Sequence, residues 1–178
     1  MKVNPLKKVF NYKRHAKKNS YKYGYKRDRD VVVGIILHNT GNVGDSAKNN
    51  ADYFATGNER SAGAHIFIDR AGLSALSVNL NEVAWSVGDS ANGHGVYYNT
   101  LNNTNTVSIE LCDIVNKPIS TEQLDKLIQV IVYIKKKCPN VRYIQRHYDI
   151  TTKDCPHYYV SNKEKWHELQ KTLLQYIK

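Results

Sequence analysis

The stretch Val31-Val32-Val33-Gly34-Ile35-Ile36-Leu37 runs straight into His38-Asn39-Thr40-Gly41, and its reading decides the fold. It is a continuous apolar run rich in β-branched residues, which predicts a central strand covered on both faces. The following His-Asn-Thr-Gly is a turn-like sequence. His38 therefore stands at the C-terminal end of a central strand, the edge of an open α/β sheet where loops and ligand sites collect.

Outward from this strand the pattern alternates between helix and strand. A helix is predicted over 46–55, with Ala47, Ala51, Phe54 and Ala55 at helical spacing and Gly57 just past its end. Residues 63–69 (GAHIFID) read as a second strand, followed by an Arg70-Ala71-Gly72 turn and a returning hairpin strand over 73–78. Residues 79–105 are rich in Asn and Gly without periodicity, and a loop of that length in a compact domain is usually functional. In 106–112 (TVSIELC), Val107, Ile109 and Leu111 fall on one face and Ser108, Glu110 and Cys112 on the other. Ser120 and Gln123 form a capping box for a helix over 121–137, whose apolar stripe is Leu124, Leu127, Ile128, Ile131 and Ile134. A short strand over 141–145 leads to His147, and Ser161 with Glu164 forms a second capping box for a final helix over 162–177. With no repeat and no linker, the expectation is a single α/β domain with a central mixed sheet flanked by helices.

Charge divides the chain unevenly. Residues 1–30 hold 11 Lys/Arg and two Asp, whereas residues 31–178 hold 15 Lys/Arg and 14 Asp/Glu, so nearly all of the formal +10 lies in the first thirty residues. That segment, interleaved with Tyr12, Tyr21, Tyr23 and Tyr25, reads as a basic N-terminal arm packed on the domain formed by 31–178. Its plain role is a solvated arm. Its functional role is attraction to a polyanion, either nucleic acid or the anionic polymers of a cell wall. No apolar stretch approaches the ~20 residues of a membrane span, and the basic N-terminus lacks the apolar core of a signal peptide. The reading is therefore synthesis in the cytoplasm, without membrane insertion. Cys112, Cys138 and Cys155 cannot all pair, and they form no disulfide framework.

The chemistry-bearing residues are His38, His147 and Cys155. The last two are the ends of a turn-like segment within 146–156 (RHYDITTKDCP). Two imidazoles and a thiolate are the ligand count of a catalytic zinc site with its fourth position open. Each also has a plainer reading: a hydrogen-bonded histidine at a strand end, and a small buried cysteine. No HExxH helix, CxxC pair, or HxE partnered with PCxxC is present.

Taken in order, the strand with HNTG, then AHIFID (64–69), AWSVG (84–88), TVSIELC and RHYDITTKDCP resemble the type 2 N-acetylmuramoyl-L-alanine amidases. That family includes phage endolysins, bacterial autolysins and peptidoglycan recognition proteins, and the resemblance runs from about Val31 to Trp166. It implies one Zn2+ held by His38, His147 and Cys155, with Glu110 and Lys153 as catalytic residues. The implied reaction is hydrolysis of the amide joining the lactyl group of N-acetylmuramic acid to L-alanine in peptidoglycan. Some phage members carry a tyrosine immediately before the histidine of the second strand. Ala64 stands there in this chain, so the tyrosine's contribution falls to Glu110, Lys153 or water. His65, Trp85 and His94 are candidates for substrate binding, although a satisfied structural histidine describes His65 better. His15, His157 and His167 are left outside the site, as is Asp154.

Three rivals compete with this reading. A non-catalytic peptidoglycan-binding module would have no use for both Cys155 and Glu110. A zinc peptidase motif is only faintly matched by Ser61, His65 and Asp69, whose His-to-Asp spacing is too short. A nucleic-acid-binding protein would leave the His/His/Cys set without a purpose, so no specific nucleic acid is expected. The missing signal sequence favours an endolysin, acting as a monomer on the wall after holin-type release, over a secreted autolysin.

Overall fold

The computed structural model describes residues 8–88 and 93–178. Six strands, β1 (Tyr12–Lys13), β2 (Gly34–Asn39), β3 (Ile66–Ile68), β4 (Ser74–Leu76), β5 (Thr106–Leu111) and β6 (Tyr143–Arg146), build one sheet in the order β1-β4-β3-β5-β2-β6. The β3–β4 hairpin is antiparallel, and the other four neighbouring pairs are parallel. Helices α1 (Ala47–Thr56), α2 (Thr121–Lys137) and α5 (Lys163–Leu174) cover the sheet, and two short helices, α3 (Tyr148–Thr151) and α4 (His157–Ser161), lie between β6 and α5.

The two-residue period of the strands sorts side chains between the layers. Ile35, Leu37, Val107, Ile109 and Leu111 pack against Leu127, Ile131 and Ile134 of α2 and Trp166, Leu169 and Leu173 of α5. The alternate residues face the other way: Phe67, Ala75 and Cys112 pack against Ala47 and Ala51 of α1. Register then aligns three neighbours across the sheet, with His38 opposite Glu110 and Glu110 opposite Phe67. Side chains in such a row share a face, so the helix-spacing of α1 and the alternation of β2 and β5 together fix where the site lies.

At β2, α2 and α5 the structure departs from the sequence reading. The first apolar strand begins at Gly34 because residues Arg29–Val31 form a 3-10 turn capped by the Asp28 side chain. It also extends through His38 and Asn39, which stay paired with β5. At α2 the Ser120 hydroxyl accepts from Gln123 N at 3.0 Å, but the Gln123 amide does not return to the cap. It donates instead to the carbonyls of Ile68 (2.9 Å) and Cys112 (3.0 Å), tying α2 to the sheet. The second expected capping box is absent: Ser161 is the last residue of α4, and Asn162 spends its amide on Tyr158 O at 2.8 Å, so α5 starts at Lys163 without a side-chain cap.

The N-terminal segment is stitched into this body. Phe10 joins the main core and meets Tyr133 edge-on at 5.2 Å, and β1 extends the sheet beyond β4. Arg27 is buried, and its guanidinium donates to the carbonyls of Leu80 (3.0 Å), Asn103 (3.1 Å), Thr104 (2.8 Å) and Thr106 (2.8 Å). One cation thus clamps both ends of the long 79–105 loop. Burial lowers its pKa to about 10, which leaves it charged at neutral pH. Among the described residues no helix is long and apolar enough to cross a membrane.

Candidate active site

Beyond β6 the chain makes a compact reversal that the sequence suggested only as a turn. Arg146 donates to both carboxylate oxygens of Asp149, from Nε at 3.1 Å and from Nη2 at 2.6 Å, and to Tyr159 O at 2.7 Å. Helix α3 follows and is ended by Thr152 in the left-handed region (φ 57°). Tyr148 N then donates to Cys155 O at 2.9 Å, closing the reversal. On the β2 side Asn39 holds the same turn, since its Oδ1 accepts from His157 N at 2.9 Å and its backbone N–H bonds the Cys155 thiol.

The result is that His38, His147 and Cys155 converge. All three are buried, and one ligand atom from each lies within 4.8 Å of the others. Cys155 Sγ is 3.8 Å from His38 Nδ1, and the two imidazole rings are 4.7 Å apart. Burial, with the charge of Lys153 adding to it, holds His147 down to about 4. Burial first, then His147 and Lys153, push His38 well below its usual value. Burial, then Glu110, push the Cys155 thiol up to about 12.

Whether this trio fits a metal can be judged on its unsatisfied atoms. Among the described residues His38 Nε2 and both ring nitrogens of His147 are buried without a hydrogen-bond partner, a costly state unless something else engages them. Neutral imidazoles and a thiolate form a borderline-soft donor set that suits Zn2+. The residues fit the ion.

His38 and Cys155 line a groove of about 600 Å³ together with Glu110 and Lys153, with His147 buried behind them. Glu110 Oε2 has no partner among the described residues. Burial raises its pKa to about 7, against the opposing pull of Lys153. Another part of the lining comes from α1 and the residues on either side of it: Asp45, Asn49, Asn50, Tyr53 and Arg60. These were not singled out from sequence, although Asn49 and Tyr53 stand at the i, i+4 spacing of one helix face.

The other sequence candidates separate. Trp85 lines this groove and also a second one of about 640 Å³. His94 lines neither; it is exposed and stacked on Tyr98 with ring centres 3.8 Å apart. His65 does not reach the groove either. It is buried beneath the sheet, where Ser108 N donates to its Nδ1 at 3.1 Å and its Nε2 lies 3.1 Å from Glu82 O and 3.0 Å from the Arg27 guanidinium. Both ring nitrogens are engaged within the protein, which is the arrangement of a satisfied structural histidine.

An α/β domain thus gathers two imidazoles and a thiol near the C-terminal ends of its parallel strands, beside a buried carboxylate. The chain belongs to the N-acetylmuramoyl-L-alanine amidase family, whose sequence model matches residues 26–158. Among curated relatives, CwlL of Bacillus licheniformis, an N-acetylmuramoyl-L-alanine amidase, is 30% identical over 139 residues, 75% of this chain and 38% of the relative. BlyA of Bacillus subtilis strain 168, another such amidase, is 33% identical over 145 residues, 76% of this chain and 39% of the relative. The chain therefore spans about two fifths of these relatives' length. Its fold is shared with PlyL (TM-score 0.72, 18% identity, covering 91% of this chain and 95% of that one). The catalytic domain of PlyG in solution is similar (TM-score 0.70, 19% identity, 93% and 94% covered).

Proposed function

We propose that this protein is a zinc-dependent N-acetylmuramoyl-L-alanine amidase that hydrolyses the bond between the lactyl group of N-acetylmuramic acid and L-alanine in bacterial peptidoglycan. The observation that carries the reading is the buried His38/His147/Cys155 cluster, in which His38 Nε2 and both His147 ring nitrogens have no partner among the described residues, with Glu110 in the groove that His38 and Cys155 line. Family membership supplies the bond type, and two curated relatives carry that activity in their names.

Held by these three residues, zinc would polarise the scissile carbonyl and acidify a water. The protein's own groups do the rest. Glu110, which faces the groove from the polar side of β5, accepts the proton of the attacking water and returns it to the departing alanine nitrogen. Lys153, exposed at the groove and close enough to act on Glu110 and His147, offers its ammonium to the oxyanion. Asn39 and the Arg146–Asp149 pair keep Cys155 and His147 facing His38.

We read the source as a phage or prophage endolysin; a similar fold is seen in a chain described as a mutant endolysin from Bacillus subtilis (TM-score 0.64). The exposed lysines of the N-terminal segment, such as Lys18 and Lys22 lying over Tyr23 and Tyr25, give it the charge to hold anionic wall polymers. The deciding experiment is mass spectrometry of digested peptidoglycan. A new free L-alanine amine beside intact muramic acid supports the reaction, and new reducing ends without that amine would refute it.

A further inference from the structure

The groove wall that carries Arg60 is built with the help of residues that precede the family-matched region. Asn58 is fully buried at the centre of this turn. Its Nδ2 donates to Ala62 O (2.7 Å), Arg60 O (3.0 Å) and Ser20 Oγ (2.9 Å), while its Oδ1 accepts from Arg60 N at 3.1 Å. From the N-terminal segment, Asn19 Nδ2 donates to Asn58 O at 3.0 Å and Arg60 O at 3.1 Å. The next residues continue the seam: Trp85 N donates to Ser20 O at 3.1 Å and Gly63 N to Trp85 O at 2.9 Å. The fit is tight, since a Cβ on Gly63 would stand 2.3 Å from Ser20 O.

So firm a turn presents a side chain with nothing to do inside the protein. Arg60 is exposed and lines the groove, and its guanidinium has no ion-pair or hydrogen-bond partner among the described residues. The groove's other charged groups are Asp45, Glu110 and Lys153. Lys153 acts on the reacting cluster, and Arg60 does not figure among the charges that shift Glu110 or His147. Arg60 is thus a second, separate cation of the groove, and guanidinium is the side chain best shaped for bidentate capture of a carboxylate.

We propose that Arg60 is a carboxylate-binding subsite for the peptide stem, held in place by Asn19 and Ser20 of the N-terminal segment. The inference rests on the amidase reading for its choice of ligand. In a stem entering the groove after the scissile bond, the first negative group is the α-carboxylate of the second residue, a γ-linked D-glutamyl unit. A groove of about 600 Å³ holds a ligand of that size. Stems in which this carboxylate is amidated would lose the contact.

The test needs no turnover. The whole protein is titrated calorimetrically with L-Ala-γ-D-Glu and with the same dipeptide carrying the α-carboxamide. The native protein should bind the free acid roughly tenfold more tightly, the size of one charge-assisted pair. Arg60→Gln should bind both dipeptides alike, and Arg60→Lys should keep part of the preference. Asn19→Ala, which leaves the guanidinium intact but removes two supports of its turn, should weaken the preference and, on soluble muropeptides, raise KM rather than lower kcat. Equal binding of the two dipeptides by the native protein, an undiminished preference in Arg60→Gln, or displacement of the acid by equimolar inorganic phosphate would overturn the subsite. An Asn19→Ala protein indistinguishable from native would overturn the positioning role. The amidase reading fails separately: preference in the titration with no alanine amine released from peptidoglycan would leave the subsite standing and remove the reaction.

Discussion

Acidification should unfold this protein in part through one histidine outside the groove. His65 is buried and locked as a neutral ring, because Ser108 N already donates to Nδ1 and the Glu82 carbonyl is placed to accept from Nε2. A second ring proton would face a donor at Nδ1, and the ring's charge would lie against the Arg27 guanidinium 3.0 Å away. Burial first and Arg27 second hold the folded pKa at about 3, against 6.5 in the unfolded chain. Because the folded value is depressed, the folded state binds fewer protons, so the stabilisation is complete above pH 6.5 and is lost as pH falls toward 3. The slope approaches about 1.4 kcal/mol per pH unit, so that at pH 4 about 3 kcal/mol has gone, a large share of the ~5–15 kcal/mol typical of a domain. The assay is urea unfolding from pH 7.5 to pH 4.5 on the native protein and on His65→Gln. The substitution costs stability at pH 7.5, but its curve should be flatter below pH 6.5, and the two should converge. His38 and His147 are present in both proteins and cancel in the comparison. Parallel curves would refute the assignment.

Other expectations follow from the same contacts. Glu110→Gln keeps the volume and removes the proton acceptor, so kcat should fall by roughly 10²–10⁴ while zinc content measured by atomic absorption stays at the native level. Trp166→Ala removes a large buried ring from between α5 and the sheet, and should cost about 3–5 kcal/mol in urea unfolding. Gly63→Ala forces its methyl onto Ser20 O; thermal unfolding should show a loss of a few kcal/mol, of order 1–3, with release of the Asn19–Asn58 seam visible as faster amide exchange. Replacing Lys18 and Lys22 by glutamine should reduce binding to wall sacculi at low salt and bring it level with native at high salt; equal binding at all salt concentrations would remove the electrostatic role.

How much of this was legible in the chain varies with the kind of interaction. The apolar run 31–37 and the alternation in 106–112 placed both central strands, because period and burial are local properties of sequence. The same alternation put Glu110 opposite Ile109 and Leu111, and this is the face on which the groove lies. The Ser120 cap was readable, whereas Gln123's destination was not, since Ile68 and Cys112 become its neighbours only once the sheet has formed. Ser161 misled because a cap motif is a pattern of four residues, and here the preceding helix α4 had already claimed its first. The bounds of β2 reflect where its partners β5 and β6 begin and end, which the run itself does not encode. Arg27, Asn19 and Asn58 carried no signal, because long-range bonds to carbonyls leave no spacing to detect. His65 and the two histidine metal candidates are the same residue type and are all buried, and only their partners separate a satisfied imidazole from His147, whose two ring nitrogens have none among the described residues.

The proposed metal site joins His38 to His147 and Cys155, which lie far along the chain from it. It is tested most directly by measuring zinc per chain in the purified native protein and in Cys155→Ser, with release of alanine amines from peptidoglycan followed on the same samples. The account predicts about one zinc per native chain, with metal and turnover lost together in the variant. Native protein that turns over without bound metal, or a Cys155→Ser variant that keeps both, would contradict it.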